Sequence, residues 1–500
     1  MLGITVLFGA SLACARTYSD LEKDYFSVSG RDKSSESGSN YSSPLSRQGE
    51  TNRPILTPTP DDPHLLPSAR SQAEQYIVQA NDTLGQISQK FGVSVEALAQ
   101  ENQLANPNIL DVGQILVIPL PTMESAGPAF KIIPDSELVN GPGSVGFDIH
   151  SFVKEMGGFL ASYSEEVDGR SLSGTEIVQI VSRNYSVNPR ILLAVLEYQS
   201  GWVTQNNIPK ASRKYPIGVR NPGREGLYRE LAWAANSLNR GYYTWRVNGI
   251  SSWVLNDGTS VPIDPTINAG TAAVQHIYSQ LLGLQDWTQA VTENGLFATY
   301  NRMFGYPFSY SIEPLLPPDL KQPTMQLPFE PGHTWAFTGG PHGGWDNGSA
   351  WAALDFAPPG QALGCVPSDA WVTAVTDGVI LRTGDGQVIQ DLDGDGYEQT
   401  GWVILYMHID SRDRIQPGEK VKAGDRIGHP SCEGGISSGT HVHLARKYNG
   451  EWIPADQDLP FMLDGWVSSG TGKEYDGFLS RNGTRIEAYA GRSKENNIRR

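Results

Sequence analysis

The spacing of apolar residues changes along this chain, and no single core can serve both patterns. Residues 146–320 read as mainly helical, with Gly174 to Tyr185 forming one amphipathic run. From residue 325 to 500 the apolar residues come in short alternating runs instead. Examples are Trp371-Val372-Thr373-Ala374-Val375, Gly378-Val379-Ile380-Leu381 and Trp402-Val403-Ile404-Leu405-Tyr406-Met407, separated by Gly- and Asp-rich turns. A helix buries a stripe and a strand buries a face, so the first stretch predicts packed helices and the second an antiparallel sheet. Five hundred residues also exceed what one core supports. A multidomain chain is therefore expected.

The remaining residues divide into shorter segments. Residues 1–16 begin MLGITVLFGASLAC, an apolar stretch ending in small residues, as in a secretory signal. Its Ser11-Leu12-Ala13-Cys14 ending resembles a bacterial lipobox with the usual Leu displaced by one. Lipid anchoring at Cys14 and simple cleavage both stay open. Residues 17–75 are rich in Ser, Pro, Asp and Gly without a period, which predicts a disordered tether. Residues 121–145 read as a linker. No later apolar run is long enough to span a bilayer.

Three cysteines are present. Cys14 lies in the export segment, which leaves Cys365 and Cys432 to pair or to stay as two buried thiols. Export permits a disulfide, and one is expected. The formal net charge of −16 supplies no basic stripe for phosphates, so nucleic acid is not expected as a partner.

Residues 76–120 predict a compact βααβ unit. Tyr76-Ile77-Val78 reads as a strand. A helix starts at Asp82-Thr83-Leu84 and ends at Gly92. Ser94 caps a second helix, and Gly113 to Pro119 closes the unit as a strand. The segments YIVQANDTLGQISQKFGVSVEALAQENQL and LDVGQILVIP resemble the LysM family. That resemblance implies binding to glycans containing N-acetylglucosamine, chiefly peptidoglycan or chitin.

In residues 146–320, Asn188-Pro189 restarts a helix that continues as ILLAVLEYQSGWV. This helix pair resembles the lysozyme-like fold of soluble lytic transglycosylases. The position of the family's catalytic Glu holds Gln199, and an amide cannot protonate a glycosidic oxygen. Glu197, two residues earlier, points about 200° away on a helix. A non-catalytic, lysozyme-like domain is expected, either a spacer or a glycan contact.

In residues 325–500, Thr440-His441-Val442-His443 lies in an apolar strand-like run, which sends both imidazoles to one face. His408 ends the run WVILYMHI, His342 stands in GGPHGGW, and Asp355 in ALDFAPPG. The order LDFAPPG, AVTDGVI, YMHI, GEKVKAGDRIG, SSGTHVHL resembles the lysostaphin-type, or LytM-type, zinc endopeptidases over residues 335–447. The resemblance implies an all-β domain holding one Zn2+ through His342, Asp355 and His443, with His408 and His441 as the further active-site histidines. In the commoner pattern the first His stands four residues before the Asp, where this chain has Trp351. The β-lytic, LasA-type branch has a longer GPH…LDF spacing, which selects His342, with His333 as the alternative. No HExxH motif is present, so His441, His408 or both must serve as base.

Asp391-Leu392-Asp393-Gly394-Asp395-Gly396 resembles the start of a calcium loop, but Trp402 stands where a bidentate Glu belongs. A solvated acidic turn is expected there, and a structural role for His429. The expected function is an extracellular, cell-wall-directed zinc endopeptidase. It would cut peptide cross-links of peptidoglycan, with LysM holding the glycan. The alternative is a silent wall-binding protein or an activator of another hydrolase.

Overall fold

The computed structural model describes residues 72–79, 82–104, 106–107, 109–120, 126–360 and 363–500. The expected export segment with Cys14, and the expected tether up to residue 71, lie outside the described residues.

The first unit runs β1 (Glu74–Ile77), α1 (Leu84–Phe91), α2 (Val95–Glu101), β2 (Ile115–Ile118). β1 pairs antiparallel with β2, Tyr76 opposite Leu116. β1 starts two residues earlier than the apolar run alone indicated, because Glu74 and Gln75 find partners on β2. Gly92 ends α1 at φ 64°, and the Ser94 side chain accepts the Ala97 N–H. Val78, Leu84, Ile87, Leu98, Leu116 and Ile118 make its core.

The middle region begins its main packing with a hairpin, β3 (Ser164–Val167) and β4 (Arg170–Ser173). Its principal helices are α3 (Gly174–Tyr185), α4 (Pro189–Ser200), α5 (Leu227–Arg246) and α6 (Ala269–Leu281). Ser173 and Glu176 form a capping box at the start of α3. Asn188 caps α4, with Pro189 in its first turn. α5 and α6 approach so closely at Gly241 that a Cβ there would lie 2.5 Å from the Cβ of His276. Glu197 is consumed structurally: its carboxylate accepts the N–H groups of Val203 and Thr204 and the Thr204 hydroxyl.

The C-terminal region carries the principal strands β5 (Thr334–His342), β6 (Ala353–Ala357), β7 (Gly378–Gly384), β8 (Gln387–Asp391), β9 (Trp402–Met407), β10 (Lys420–Val421), β11 (Val442–Tyr448), β12 (Trp466–Gly470), β13 (Gly477–Arg481), β14 (Thr484–Glu487) and β15 (Asn497–Arg499). Eight of them form a nine-stranded sheet in the order β10-β7-β8-β9-β11-β6-β5-β15, with Glu451–Trp452 pairing off β11. Every pairing is antiparallel. β12, β13 and β14 belong to a second, four-stranded sheet. Asn482 and Gly483, both at positive φ, turn β13 into β14. A disulfide links Cys365 to Cys432 (S–S 2.12 Å).

The large sheet is apolar on both faces. Leu354, Phe356, Val388, Ile404, Tyr406, Val442 and Leu444 point into a core of its own. The alternate residues Ala353, Ile389, Val403, Leu405, Met407 and Ala445 point the other way and join the core of the helices. Polar contacts tie the same seam. Ser186 Oγ donates to the Gly450 carbonyl at 2.6 Å. The Trp452 N–H donates to the Tyr243 hydroxyl at 3.0 Å, and Arg246 pairs with Glu451 at 3.3 Å. The helical region therefore covers one face of the sheet, the face on which His443 and Asp355 stand.

Candidate metal centre

Strand register brings the site together. His443 on β11 lies directly opposite Asp355 on β6 and Met407 on β9. Asp355 in turn pairs with Gly339 on β5, and His342 ends that strand. Gly339 is needed there, since a Cβ would come within 2.6 Å of the Asp355 carboxylate. His408 follows β9 directly and adopts φ 64°. His441 stands just ahead of β11, bridged to Ser431.

Each of the four imidazoles spends one ring nitrogen on a backbone carbonyl. His342 Nδ1 lies 2.8 Å from the Gly340 oxygen, and His443 Nε2 lies 3.2 Å from that of Gly344. His441 Nδ1 is 2.7 Å from the Gly439 oxygen, and His408 Nδ1 is 3.1 Å from that of Glu433. A carbonyl only accepts, so these nitrogens carry the proton, and the other nitrogen of each neutral ring presents a lone pair. This is the arrangement of backbone acceptors that fixes the tautomer of metal-binding histidines.

The lone pairs converge. His342 Nε2 is 2.9 Å from His443 Nδ1. Asp355 Oδ1 lies 3.2 Å from His342 Nε2, 3.3 Å from His443 Nδ1 and 3.7 Å from His441 Nε2. Oδ1 is buried without a hydrogen-bond partner. With the ring protons committed to carbonyls, three acceptors face one another and no donor lies between them. A cation satisfies such a set, and two imidazoles with one carboxylate suit a tetrahedral zinc that keeps a position open. His342, Asp355 and His443 fit the role of ligands.

The electrostatics agree. Burial opposes ionisation of Asp355, but positive charge on the neighbouring His342 and His441 outweighs it and holds the carboxyl well below its usual range; burial likewise opposes charge on His342, yet Asp355 raises its pKa, so the carboxylate favours a cation beside it. Burial, then the neighbouring His441 and His443, pushes His408 well below the usual imidazole range, so it stays neutral. His408 and His441 are adjacent, with ring centroids 4.5 Å apart.

His333 is not part of this cluster; it is exposed on the surface beside Glu330. His429 is buried, with Nδ1 on the Ala370 carbonyl and its ring 3.9 Å from that of Trp371. The carboxylates of Asp391, Asp393 and Asp395 are close enough to share a cation. That of Asp391 already accepts the N–H groups of Asp393, Gly394 and Gly396.

The centre opens into a cleft of about 880 Å³. His342, His408 and His443 lie on one side, and the helical region supplies the facing wall, including Tyr228, Trp233 and Glu166. Two features of this site carry no sequence signal. One is the helical wall; the other is Tyr475, whose ring stacks on His342 at 4.2 Å and 21°.

Comparison with known proteins follows the same divisions. Residues 360–454 match the model of peptidase family M23, and this segment holds His408, His441 and His443.

Over these residues the C-terminal region is similar to peptidase family M23.

Ahead of that segment, residues 131–318 match the LasA N-terminal domain and residues 76–119 the LysM domain. The protease LasA of Pseudomonas aeruginosa is 24% identical over 302 residues, covering 56% of this chain and 67% of the relative. The N-acetylmuramoyl-L-alanine amidase XlyA of Bacillus subtilis is 38% identical over 50 residues, 10% of this chain and 17% of the relative. Among solved structures, the M23 metalloprotease pseudoalterin from the deep sea is 27% identical. It covers 34% of this chain and 96% of its own, with a TM-score of 0.28. The catalytic domain of lysostaphin from Staphylococcus simulans is 25% identical, covers 25% and 89%, and has a TM-score of 0.18. His342 and Asp355 lie outside the residues of the M23 match, so their place in the centre rests on strand register and distance.

Proposed function

We propose that this protein is a zinc-dependent endopeptidase that cleaves peptide cross-links of bacterial peptidoglycan outside the cell. The observation that carries the reading is the set of histidines pinned by backbone carbonyls, of which His342, His443 and His441 bring their other nitrogen within 3.2, 3.3 and 3.7 Å of the orphaned Asp355 oxygen. His342, Asp355 and His443 hold the metal. A bound zinc polarises a peptide carbonyl and acidifies water.

The protein's own groups do the rest. Substrate lies in the cleft between the sheet and the helical wall, which narrows its access to water. His441 and His408 each turn an unprotonated nitrogen toward the centre, and one of them takes the proton of the attacking water. The protonated ring then gives that proton to the departing amine. Tautomers fixed in advance leave little reorganisation at the moment of reaction.

The LysM domain supports targeting to the glycan strand, and the export segment with Cys14 supports a location at the cell surface, with or without a lipid anchor. Among the described residues no helix is long and apolar enough to cross a membrane. The test is digestion of purified peptidoglycan by the full chain. New amino termini should be released, lost on chelation and restored by zinc. Intact cross-links after incubation with the zinc-loaded protein would leave the alternative, a wall-binding protein without activity.

A further inference from the structure

The Cys365–Cys432 disulfide closes the side of the metal centre where His408 and His441 stand. It joins residues 67 apart in sequence, and neither 363–371 nor 432–440 contains helix or strand. Cys432 follows Ser431, whose N–H donates to the His408 carbonyl at 2.7 Å and whose carbonyl accepts the His441 N–H at 3.3 Å. It precedes Glu433, whose carbonyl accepts from His408 Nδ1 at 3.1 Å. Cys365 sits between Gly364 and Val366. The Gly364 carbonyl accepts the Thr440 N–H at 3.1 Å, and Thr440 Oγ1 donates to the Val366 carbonyl at 2.6 Å. Thr440 in turn stands between His441 and Gly439, whose carbonyl accepts from His441 Nδ1 at 2.7 Å. Both carbonyls that fix the tautomers of His408 and His441 therefore belong to the segment the disulfide clasps. The ligands are held otherwise. Asp355 and His443 stand on paired strands, and Gly340 and Gly344 supply the carbonyls for His342 and His443. None of these residues lies in either clasped segment.

Residues 432–440 have little stiffness of their own. Gly434 and Gly435 both adopt positive φ, and Ile436 beside them is exposed. Hydrogen bonds near the surface compete with water and each contributes modestly, so a covalent tie is the stronger constraint. We propose that the Cys365–Cys432 disulfide positions the proton-transfer pair His408 and His441, and so makes peptide cleavage depend on an oxidised chain. Its formation joins the two sulfurs, while two protons and two electrons pass to an exchanging disulfide that leaves as a dithiol. Cys365 is exposed and Cys432 half-buried, which leaves the bond open to that exchange. In the dithiol form His342, Asp355 and His443 keep their zinc, while the two other imidazoles lose their fixed tautomers and orientation. The chain is then silent where thiols are kept reduced and active outside the cell. This role rests on the endopeptidase reading above.

The test compares three forms of the zinc-loaded full chain: oxidised, reduced with a trialkylphosphine, and carrying Cys365→Ser with Cys432→Ser. The phosphine takes oxygen from water to become its oxide as the S–S bond opens to two thiols. Circular dichroism checks that each form is folded. The reduced chain and the serine variant should keep their zinc, with KM within about threefold. Their kcat should fall about 100-fold or more, the lower end of what a positioned base contributes. Reoxidation should restore the reduced chain and leave the serine variant as it was. Nitrogen NMR of selectively labelled histidines supplies a readout apart from turnover. His408 and His441 should be protonated at Nδ1 alone in the oxidised chain and become tautomer mixtures on reduction, while His342 and His443 do not change. A folded reduced chain within about threefold of the oxidised kcat overturns the proposal and leaves the endopeptidase reading standing. Loss of zinc or of the fold on reduction also overturns it, since the bond would then serve the ligands or the whole domain. An oxidised chain that binds zinc and cleaves nothing overturns the endopeptidase reading, and the imidazole signals then decide the positioning by themselves.

Discussion

Trp452 tests whether the helical region and the sheet are one cooperative unit. Its side chain is 1% exposed and lies in the core that the two regions share, beside Tyr243 and Tyr185. Replacing a fully buried Trp with Ala removes the transfer free energy of the ring and leaves a cavity, together about 3–5 kcal/mol. The indole N–H bond to Tyr185 is long at 3.4 Å and adds little. A unit beyond about 250 residues shifts by roughly 2 °C per kcal/mol, so Trp452→Ala should melt about 6–10 °C lower. Because Leu405, Met407 and Ala445 share that core, the helices and the sheet should melt together in the wild type. Scanning calorimetry with parallel far-UV and tryptophan fluorescence detection would follow this. A melt of the wild-type sheet and helices in two separate steps, or a Trp452→Ala melt within about 2 °C of wild type, would refute a shared core.

Two further predictions follow from the site and its surroundings. His408→Ala and His441→Ala should each retain zinc; the variant that removes the working base should lose about 10²–10⁴ in kcat, measured by peptide cleavage. Glu398 is buried, and Arg382 and Lys447 overcome its desolvation and hold its carboxyl down at about 2. Because its folded value is depressed, its contribution is present above the unfolded carboxylate range near 4.3 and is lost as pH falls through the folded value near 2, about 3 kcal/mol in all. Glu398→Gln should flatten the loss of stability between about pH 4.5 and 2 in urea titrations; an unchanged slope would show that the pair is not the source.

Much of this was legible in the sequence for local reasons. The Ser94 and Asn188 caps, the Pro189 start and the Asn482-Gly483 turn are decided by residues within a few positions of each other. The alternation in Trp402 to Met407 predicted a strand, and the strand is there. The alternating pattern did not reveal that both faces of that strand are covered, because a partner for the second face comes from α3 and α5, distant in sequence. Family order suggested His342, Asp355, His408, His441 and His443, and strand register places them around one point. The carbonyls of Gly340, Gly344, Gly439 and Glu433 that fix the tautomers carry no side-chain signal at all. Tyr475 was invisible for a related reason: it stands in a turn at positive φ and its ring stacks on His342 at the end of a distant strand, neither of which a residue pattern records.

The central claim is that His342, Asp355 and His443 hold a zinc while His441 does not. The most direct measurement is zinc content by plasma emission on the purified full chain beside His342→Ala, His443→Ala and His441→Ala, each checked for folding by circular dichroism. One zinc per chain is expected in the wild type and in His441→Ala, and none in the two ligand variants. A folded wild type without zinc, or zinc retained by both ligand variants, would contradict the account.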